Sequence, residues 1–230
     1  MTVTEPVWTP GSFLSQITAE ECELVLALGV SRWLPAGRRL LVEDEADTHV
    51  EIIQQGHVKV TATVGGEPKL LAIRLPGDLV GEMAAFAGGR RSATVTASVD
   101  VFSTVIQRAA FLEFLARHPE VSAQVTATLG RRLRWANERR LEFSAFPVHV
   151  RLARILSEIA ASCGEQVEGG RLITVVSQAE LATLVGAGED TVQRGLRKLR
   201  ERKLVRTRYH GIVVLDEPGL RALVDEAEWR

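Results

Sequence analysis

The sequence predicts an α+β protein in which a β-barrel or jelly roll precedes one long helix and a smaller mixed domain. Short alternations of apolar and polar residues, separated by glycine, fill the stretch from about residue 38 to 106. A helical pattern without proline then runs from residue 120 to about 143. After residue 176 come a capped apolar segment, a glycine turn, a basic segment and a hairpin pattern. Each pattern has the periodicity of the element it predicts.

Two stretches of strict alternation predict the strands. In residues 58–64, valine and alanine alternate with lysine and threonine, Gly65-Gly66 supplies a tight turn, and a second apolar run covers 70–75. This order is typical of a β-hairpin. Residues 94–105 show the same period of two, as in a half-buried strand or strand pair. Many short strands at this spacing favour a barrel or jelly roll over an open parallel sheet.

The middle of the chain predicts a short helix and a long one. The short helix covers 109–116 and ends before Pro119, because proline displaces its predecessor from helical geometry. The long helix carries an apolar stripe formed by Leu129, Leu133, Ala136 and Phe143. This narrow stripe predicts pairing with a second copy of the helix, although Arg140 falls on it and packing within one domain is the alternative. Phe146-Pro147 then predicts a hinge.

The C-terminal part predicts a winged helix-turn-helix. Ser177 and Glu180 match a capping box, in which each side chain accepts a hydrogen bond from an otherwise unpaired backbone amide. Residues 186–188 interrupt this first helix with a glycine turn, and helical spacing resumes from 189 to 202. Residues 204–214 then predict a β-hairpin, the wing.

Positive charge accumulates on the second of these helices, although the whole chain carries a formal net charge of −1. Between residues 191 and 211 there are eight basic side chains and one acidic side chain, Glu201. Such a helix suits neutralisation of DNA phosphates, whereas a merely solvated face is the alternative. Gln193, Arg194 and Arg197 are the best candidates for contacts with bases or nearby phosphates, since amides and guanidinium groups make bidentate base contacts.

A second constellation lies in the β-rich part. Residues 81–86 read G-E-M-A-A-F, and residues 91–95 read R-S-A-T-V. A carboxylate for sugar hydroxyls, a guanidinium fork for a phosphate and exposed loop amides together suit a small ligand with hydroxyls and one phosphate. On chemistry alone, a structural salt bridge between Glu82 and Arg91 is equally consistent with the spacing.

Residues 81–86 and 91–95 together are called the cassette below. With this cassette the chain resembles the cyclic-AMP receptor protein (catabolite activator) family, within the superfamily that includes the fumarate–nitrate regulators. The G-E-M-A and R-S-A-T-V motifs match the family's phosphate-binding cassette, and the similarity keeps the element order over residues 15 to 215. The resemblance implies a cyclic-nucleotide-binding β jelly roll, a long dimerisation helix and a C-terminal winged helix-turn-helix. It further implies that Glu82 binds the ribose 2′-hydroxyl and that Arg91 and Ser92 hold the cyclic phosphate.

The resemblance also supplies the remaining predicted site residues. The predicted ligand-binding residues are Leu71, Val80, Gly81, Glu82, Met83, Ala84, Arg91, Ser92, Ala93, Arg132 and Asn137. The predicted DNA-binding residues are Ser177, Gln178, Glu189, Asp190, Thr191, Gln193, Arg194, Arg197 and Lys198.

Two departures from the family pattern leave specificity open. Where the family has a threonine-serine pair that reaches the purine, this chain has Ala136-Asn137, and the Asn137 amide both donates and accepts hydrogen bonds. The family's recognition helix begins S-R-E-T-V-x-R, whereas residues 188–194 read G-E-D-T-V-Q-R. Glu189 replaces an arginine that would contact guanine, so we expect a half-site different from the family's TGTGA.

Other classes of protein are disfavoured. No apolar run approaches the roughly 18 to 20 residues that span a bilayer, and no secretory signal precedes the strands, so we expect a cytoplasmic protein without a membrane partner. Cys22, Cys163 and the scattered histidines form no metal, haem or iron–sulfur motif. No Walker loop, nucleophile elbow or HExxH motif indicates an enzyme, and no cofactor is expected.

The sequence therefore predicts a cyclic-nucleotide-responsive transcriptional regulator that binds palindromic double-stranded DNA as a homodimer. Cyclic AMP is the expected effector; cyclic GMP, another ligand or ligand-independent action are alternatives, and RNA polymerase is a further candidate partner. The expected domains are a sensor over 1–118, a dimerisation helix and hinge over 119–145, and a DNA-binding domain over 146–230.

Overall fold

The computed structural model describes residues 8–228. The chain divides into two compact units, residues 1–132 and 133–230. The division falls within the long helix, so each unit includes part of that helix.

The described residues of the first unit form two four-stranded antiparallel sheets. Its strands are β1 (Val30–Leu34), β2 (Arg39–Leu41), β3 (Val50–Gln55), β4 (Val58–Val64), β5 (Glu67–Arg74), β6 (Leu79–Val80), β7 (Thr94–Ala97) and β8 (Val101–Ile106). One sheet has the order β1-β8-β3-β6 and the other β2-β7-β4-β5. The predicted jelly roll is confirmed, and the alternation in residues 94–105 is a pair of strands that belong to different sheets.

The predicted hairpin is the β4–β5 pair. Val64 pairs with Glu67, and the two residues between them, Gly65 and Gly66, have φ angles of 62° and 83°. Positive φ at both central positions is what a two-residue hairpin turn requires, and glycine adopts it without steric cost.

Helices cover one face of the first sheet. They are α1 (Ala19–Ala27), α2 (Glu82–Ala87), α3 (Arg108–Arg117) and the start of α4 (Pro119–Ala145), with a short 3-10 turn at Leu14–Gln16. Buried side chains from α1, α3 and α4 meet those of β3 and β8 in one core, and a second core fills the space between the sheets. Apolar side chains thus cover both faces of the β1-β8-β3-β6 sheet, a burial that removes much apolar surface from water.

Up to residue 228, the second unit contains the end of α4, four more helices and a small sheet. The helices are α5 (Val148–Cys163), α6 (Gln178–Leu184), α7 (Glu189–Glu201) and α8 (Glu217–Glu228). The strands are β9 (Glu165–Val167), β10 (Gly170–Ile173), β11 (Val205–Arg208) and β12 (Gly211–Val214), in the order β11-β12-β10-β9. The predicted helix-turn-helix is α6–α7, and the predicted wing is β11–β12. The sequence patterns did not predict β9, β10 or α8.

The second half of α4 is attached to α5 by polar contacts. Trp135 Nε1 donates to Glu158 Oε2 at 3.0 Å, and Arg154 Nε lies 3.0 Å from Glu142 Oε1. The guanidinium of Arg139 stacks 4.5 Å from the centroid of the Trp135 ring. These contacts explain why this half of the helix groups with the second unit.

The apolar side chains of α4 differ in how far they are buried. Leu129 packs in part against the core of the first unit. Phe143 lies beside Gly186, where a methyl group in place of the glycine hydrogen would come within 2.9 Å of its ring. Leu133 and Leu141 are 63% and 69% exposed. Packing within a domain therefore accounts for part of the Leu129 surface, whereas Phe143 is still 44% exposed and Leu133 is exposed more fully.

The helices α4 and α5 are separated at Phe146-Pro147, where the sequence predicted a hinge. The helix α4 ends at Ala145, and Pro147 takes the N-cap position of α5 with φ −59° and ψ 149°. Within residues 8–228, no helix has the length and apolar character needed to cross a membrane.

Candidate ligand and DNA sites

The cassette in the first unit is built on a glycine turn between β6 and α2. Gly81 has a φ of 85°, and its carbonyl accepts from Arg91 Nη1 at 3.0 Å. A Cβ at this position would lie 2.7 Å from Arg91 Nη1 and 2.8 Å from the His49 carbonyl oxygen. Only glycine satisfies both the left-handed backbone and this close approach.

The carboxylate of Glu82 is buried, with 7% of the residue exposed. Arg132 Nη1 donates to Glu82 Oε1 at 2.8 Å, and Arg132 Nη2 donates to the Leu79 carbonyl at 2.8 Å and to Asp78 Oδ1 at 3.3 Å. A buried carboxylate requires such a partner. Arg132 thereby fixes one oxygen of the Glu82 carboxylate.

Arg74 adds a further guanidinium to this part of the first unit. Burial, together with the positive charge of Arg132, lowers the pKa of Arg74 to about 10, against opposing effects of Asp78 and Glu82. Arg74 still carries its charge at neutral pH. Two carboxylates, Glu82 and Asp78, therefore interact with two cations, Arg74 and Arg132.

Each nitrogen of the Arg91 guanidinium donates a hydrogen bond within the protein, and only 3% of the residue is exposed. Its Nε donates to Asp47 Oδ1 at 2.6 Å, and its Nη2 donates to the His49 carbonyl at 2.8 Å. The hydrogen bond from Arg91 is the main cause that lowers the pKa of Asp47, opposed by partial burial of the carboxyl. A structural ion pair does form here, but it joins Arg91 to Asp47, whereas Glu82 pairs with Arg132.

A second buried carboxylate, Glu51, lies next to this arginine site. Glu51 is fully buried; it accepts from Ser103 Oγ at 2.7 Å and from Arg32 Nη2. His49 Nε2 lies 3.4 Å from Glu51 Oε1. The sequence-based prediction missed this group, although a glutamate between Val50 and Ile52 in an apolar strand was the available signal.

The other predicted ligand residues occupy varied environments. Met83 and Ser92 are exposed, and the Ser92 hydroxyl lies 3.5 Å from Met83 Sδ. Val80 and Ala84 are buried, whereas the Leu71 side chain is exposed. The Ala93 residue is half-buried, and Asn137 is an exposed residue of the second unit.

In the second unit the capping box forms as predicted. Glu180 N donates to Ser177 Oγ at 3.2 Å, and Ser177 N donates to Glu180 Oε2 at 2.8 Å. The turn that follows uses Gly186, whose φ is 59°. Arg151 Nη1 donates to the Val185 carbonyl, which ties α5 to the end of α6.

The helix α7 has one buried side and one charged side. Val192, Gly195, Leu196 and Leu199 are buried, and α7 packs on α5. Of the predicted DNA-binding residues, Thr191 is half-buried and the rest are exposed: Ser177, Gln178, Glu189, Asp190, Gln193, Arg194, Arg197 and Lys198. The exposed side of α7 therefore presents cations and an amide, and its first turn presents two acids.

Local contacts hold several of these side chains. Arg194 Nη2 donates to Thr191 Oγ1 at 3.0 Å, and Arg197 pairs with Glu201 at 2.9 Å. Arg200 Nη1 donates to Thr207 Oγ1 at 3.1 Å, which connects α7 with the first strand of the wing. An exposed pair such as Arg197–Glu201 is weak, so a phosphate can compete for the arginine.

The cysteines have the surroundings of unreactive thiols. Burial raises the pKa of the Cys22 thiol, and burial raises that of the Cys163 thiol, its pKa reaching about 11. Because the thiolate is the reactive species, both side chains are poor candidates for redox sensing at neutral pH.

Each of the two units matches a known protein family. Residues 31–118 match the cyclic nucleotide-binding domain family, and residues 150–223 match the Crp-like helix-turn-helix domain family. The chain is 32% identical over 189 residues to the CRP-like cAMP-activated global transcriptional regulator of Mycobacterium tuberculosis, with 81% of this chain and 84% of that protein covered. It is 29% identical over 191 residues to the cyclic AMP receptor protein of Thermus thermophilus, with 83% and 86% covered.

Solved structures show the same architecture. The catabolite activator protein of Thermus thermophilus is similar with a TM-score of 0.53 at 27% identity, with 94% of this chain and 99% of that chain covered. The c-di-GMP-responsive global regulator of Xanthomonas campestris is similar with a TM-score of 0.74 at 20% identity, with 86% and 99% covered. The latter similarity concerns the fold alone.

Proposed function

Because the chain belongs to the CRP family of cyclic-nucleotide-binding, DNA-binding transcriptional regulators, we propose that it is a homodimeric regulator whose affinity for DNA is set by cyclic AMP. The observation that carries the proposal is the turn at Gly81, which brings a buried carboxylate, Glu82, and a buried guanidinium, Arg91, into one cassette. These are the two groups that a ribose hydroxyl and a cyclic phosphate need.

Cyclic AMP is the effector that the relatives favour. The similar regulator of Mycobacterium tuberculosis is described as cAMP-activated, and that of Thermus thermophilus as a cyclic AMP receptor. The more distant Xanthomonas campestris protein responds to c-di-GMP. A single phosphate-binding guanidinium in the cassette is more consistent with a ligand that carries one phosphate than with a dinucleotide.

We assign DNA binding to the exposed side of α7. Arg194, Arg197 and Lys198 can neutralise phosphates, and Gln193 can reach base edges in the major groove. The carboxylate of Glu189, at the start of α7, is repelled by phosphates and can accept from cytosine N4. We therefore expect a half-site other than TGTGA, and RNA polymerase remains a candidate partner at the promoter.

The homodimer is proposed from the exposed apolar side chains of α4. Leu133 and Leu141 lie eight residues apart, about 80° around a helix, and both are largely exposed. Large exposed apolar side chains on one broad side of a helix are stabilised by a partner helix. A two-fold dimer would then present two recognition helices to successive major grooves, about 34 Å apart.

Calorimetric titration with cyclic AMP, cyclic GMP and c-di-GMP tests the ligand. We expect micromolar binding of cyclic AMP, abolished in Arg91→Ala and retained in Arg90→Ala. Arg90 is the matched control, because it is the adjacent, exposed arginine and donates to the Asp44 carbonyl at the surface. Equal binding by both variants, or no binding of any cyclic nucleotide to the wild type, would contradict the proposal.

A ligand-independent regulator is the second candidate, and one observation favours it. The guanidinium of Arg91 already donates hydrogen bonds to Asp47, to His49 and to Gly81. A ligand phosphate would therefore have to compete with these partners for the N–H groups of Arg91. Fluorescence anisotropy with a selected DNA site, with and without saturating cyclic AMP, separates the two candidates. Equal DNA affinity in both conditions would favour the ligand-independent regulator.

A further inference from the structure

Arg74 is the last residue of β5, and it lies on the face of that strand that points between the two sheets. Arg74 is paired directly with Val58 of β4, and Ala72 is paired with Val60. Side chains of directly paired residues, and of residues two apart on one strand, lie on the same face of a sheet. Val58 is fully buried in the core between the sheets, and Ala72 is also buried. The strand therefore directs a guanidinium toward the interior of the jelly roll.

This guanidinium lies close to the carboxylate of the cassette. Arg74 interacts electrostatically with Glu82, Asp78 and Arg132. Asp78 is tied to the end of β5, because its Oδ2 accepts from Leu75 N at 2.9 Å. The short turn between β5 and β6 thus keeps Arg74 near the groups that surround Glu82.

Most of the hydrogen-bonding capacity of Arg74 is unused. Its Nη1 donates to the carbonyl of the neighbouring Ile73 at 3.3 Å. Within the part of the chain that the structure describes, its Nε and Nη2 have no acceptor, and neither atom is fully buried. Asp78 and Glu82 are both paired with Arg132 instead. A half-buried guanidinium is costly unless its N–H groups find acceptors, so Arg74 has donors available for a ligand.

A ribose hydroxyl bound at Glu82 needs a donor as well as an acceptor. A hydroxyl group carries one proton and two acceptor lone pairs. The carboxylate of Glu82 accepts only, and both terminal nitrogens of Arg132 already donate within the protein. Arg74 is the neighbouring cation whose N–H groups are largely unspent.

We propose that Arg74 is a specificity-determining residue that donates a hydrogen bond to the 2′-hydroxyl oxygen of the bound cyclic nucleotide, while Glu82 accepts from the same hydroxyl. The inference rests on the proposed function, because it assumes that a cyclic nucleotide places its ribose at Glu82. The two side chains together select a ribonucleotide over its 2′-deoxy analogue. The analogue leaves a carboxylate and a guanidinium without their ligand partner, and unpaired polar groups of this kind discriminate strongly.

Titration of the full-length protein with cyclic AMP and with 2′-deoxy cyclic AMP tests this role. The affinity for cyclic AMP is measured by calorimetry, and that for the analogue by competition with cyclic AMP. In Arg74→Met we expect the affinity for cyclic AMP to fall about tenfold and that for the analogue to change about twofold or less, because the analogue lacks the hydrogen bond that is removed.

Three further variants accompany Arg74→Met. Arg74→Lys keeps a cation with N–H donors and is expected to retain part of the preference for the ribonucleotide. Arg74→Gln is used in case Arg74→Met does not fold. The matched control is Lys69→Met, since Lys69 is a half-buried cation of the same strand, and it is expected to bind both nucleotides as the wild type does.

The outcomes separate the inference from the proposed function. A smaller ratio of the two affinities in Arg74→Met or Arg74→Gln, with the wild-type ratio in Lys69→Met, would support the contact with the 2′-hydroxyl. An equal loss for both nucleotides, or no loss for either, would overturn the contact and leave the proposed function intact. No binding of any cyclic nucleotide to the wild type would overturn both.

Discussion

Glu82 and Arg91 have different partners, and the difference assigns them different roles at the scale of single residues. Glu82 is paired with Arg132, fifty positions later in the chain, whereas Arg91 is held by Asp47 and by two backbone carbonyls. Arg132 is thus the residue that orients the carboxylate, and its loss would remove the guanidinium that donates a hydrogen bond to this buried charge.

Replacement of Arg132 by glutamine is therefore expected to weaken cyclic AMP binding. We expect the affinity for cyclic AMP to fall about tenfold or more, which corresponds to about 1.4 kcal/mol of binding free energy. The reason is that the carboxylate of Glu82 would no longer be held in its orientation. The measurement is a calorimetric titration of the variant. Arg131→Gln is the control, since Arg131 is exposed and donates to Thr128 on the same helix. Equal affinity of the two variants would show that Arg132 does not organise the site.

At the scale of elements, the helix-turn-helix is specified by residues at helix ends. The Ser177 capping box starts α6 and Gly186 forms the turn that ends it, before Gly188 takes the N-cap position of α7. The side chain of Ser177 is thereby used as a cap, although it was predicted among the DNA contacts. A DNA contact by Ser177 remains a prediction and would have to coexist with the cap.

The turn supplies the prediction at this scale. Gly186→Ala is expected to destabilise the second unit by about 1–2 kcal/mol, because alanine is strained at a φ of 59° and its methyl group would approach the Phe143 ring to 2.9 Å. Urea unfolding followed by circular dichroism measures the loss, and DNA affinity should fall with it.

Gly188→Ser is the matched control for this substitution. Gly188 has an ordinary φ of −72°, a Cβ there meets nothing within 4 Å, and serine is a good N-cap residue. We expect no loss of stability in this variant. If both variants unfold at the wild-type urea concentration, the turn does not depend on the left-handed glycine.

At the scale of the whole molecule, α4 is the element that both units share. Its first half packs in the core of the first unit, and its second half is attached to α5. Leu133 and Leu141 are left exposed on the helix, and the proposed dimer would bury them.

Leu133→Glu is therefore expected to convert the dimer to a monomer, since two glutamates would face each other in an apolar seam. Sedimentation velocity at micromolar protein concentration measures the change. The control is Val64→Glu, because Val64 is also 63% exposed but lies at the tip of the β4–β5 hairpin. A dimer that survives Leu133→Glu and Leu141→Glu together would place the interface elsewhere.

Elements with local signals could be predicted from the amino-acid sequence. Alternation in residues 58–64, the glycine pair after it and the Ser177 capping box each fix a few neighbouring backbone angles, so they can be identified without a partner in space. The cassette motif could be recognised for the same reason, because its residues are consecutive. Weaker local signals were missed, as in β9, β10 and α8.

Which distant side chains meet depends on the tertiary structure. Arg132 reaches Glu82 across fifty positions, and Arg91 meets Asp47 across forty-four, because sheet pairing and helix packing bring the segments together. The burial of Glu51 and the position of His49 beside the proposed phosphate site depend on the same packing. Such contacts have no local periodicity, and their energy comes from burial and charge pairing that exist only once the sheets have closed.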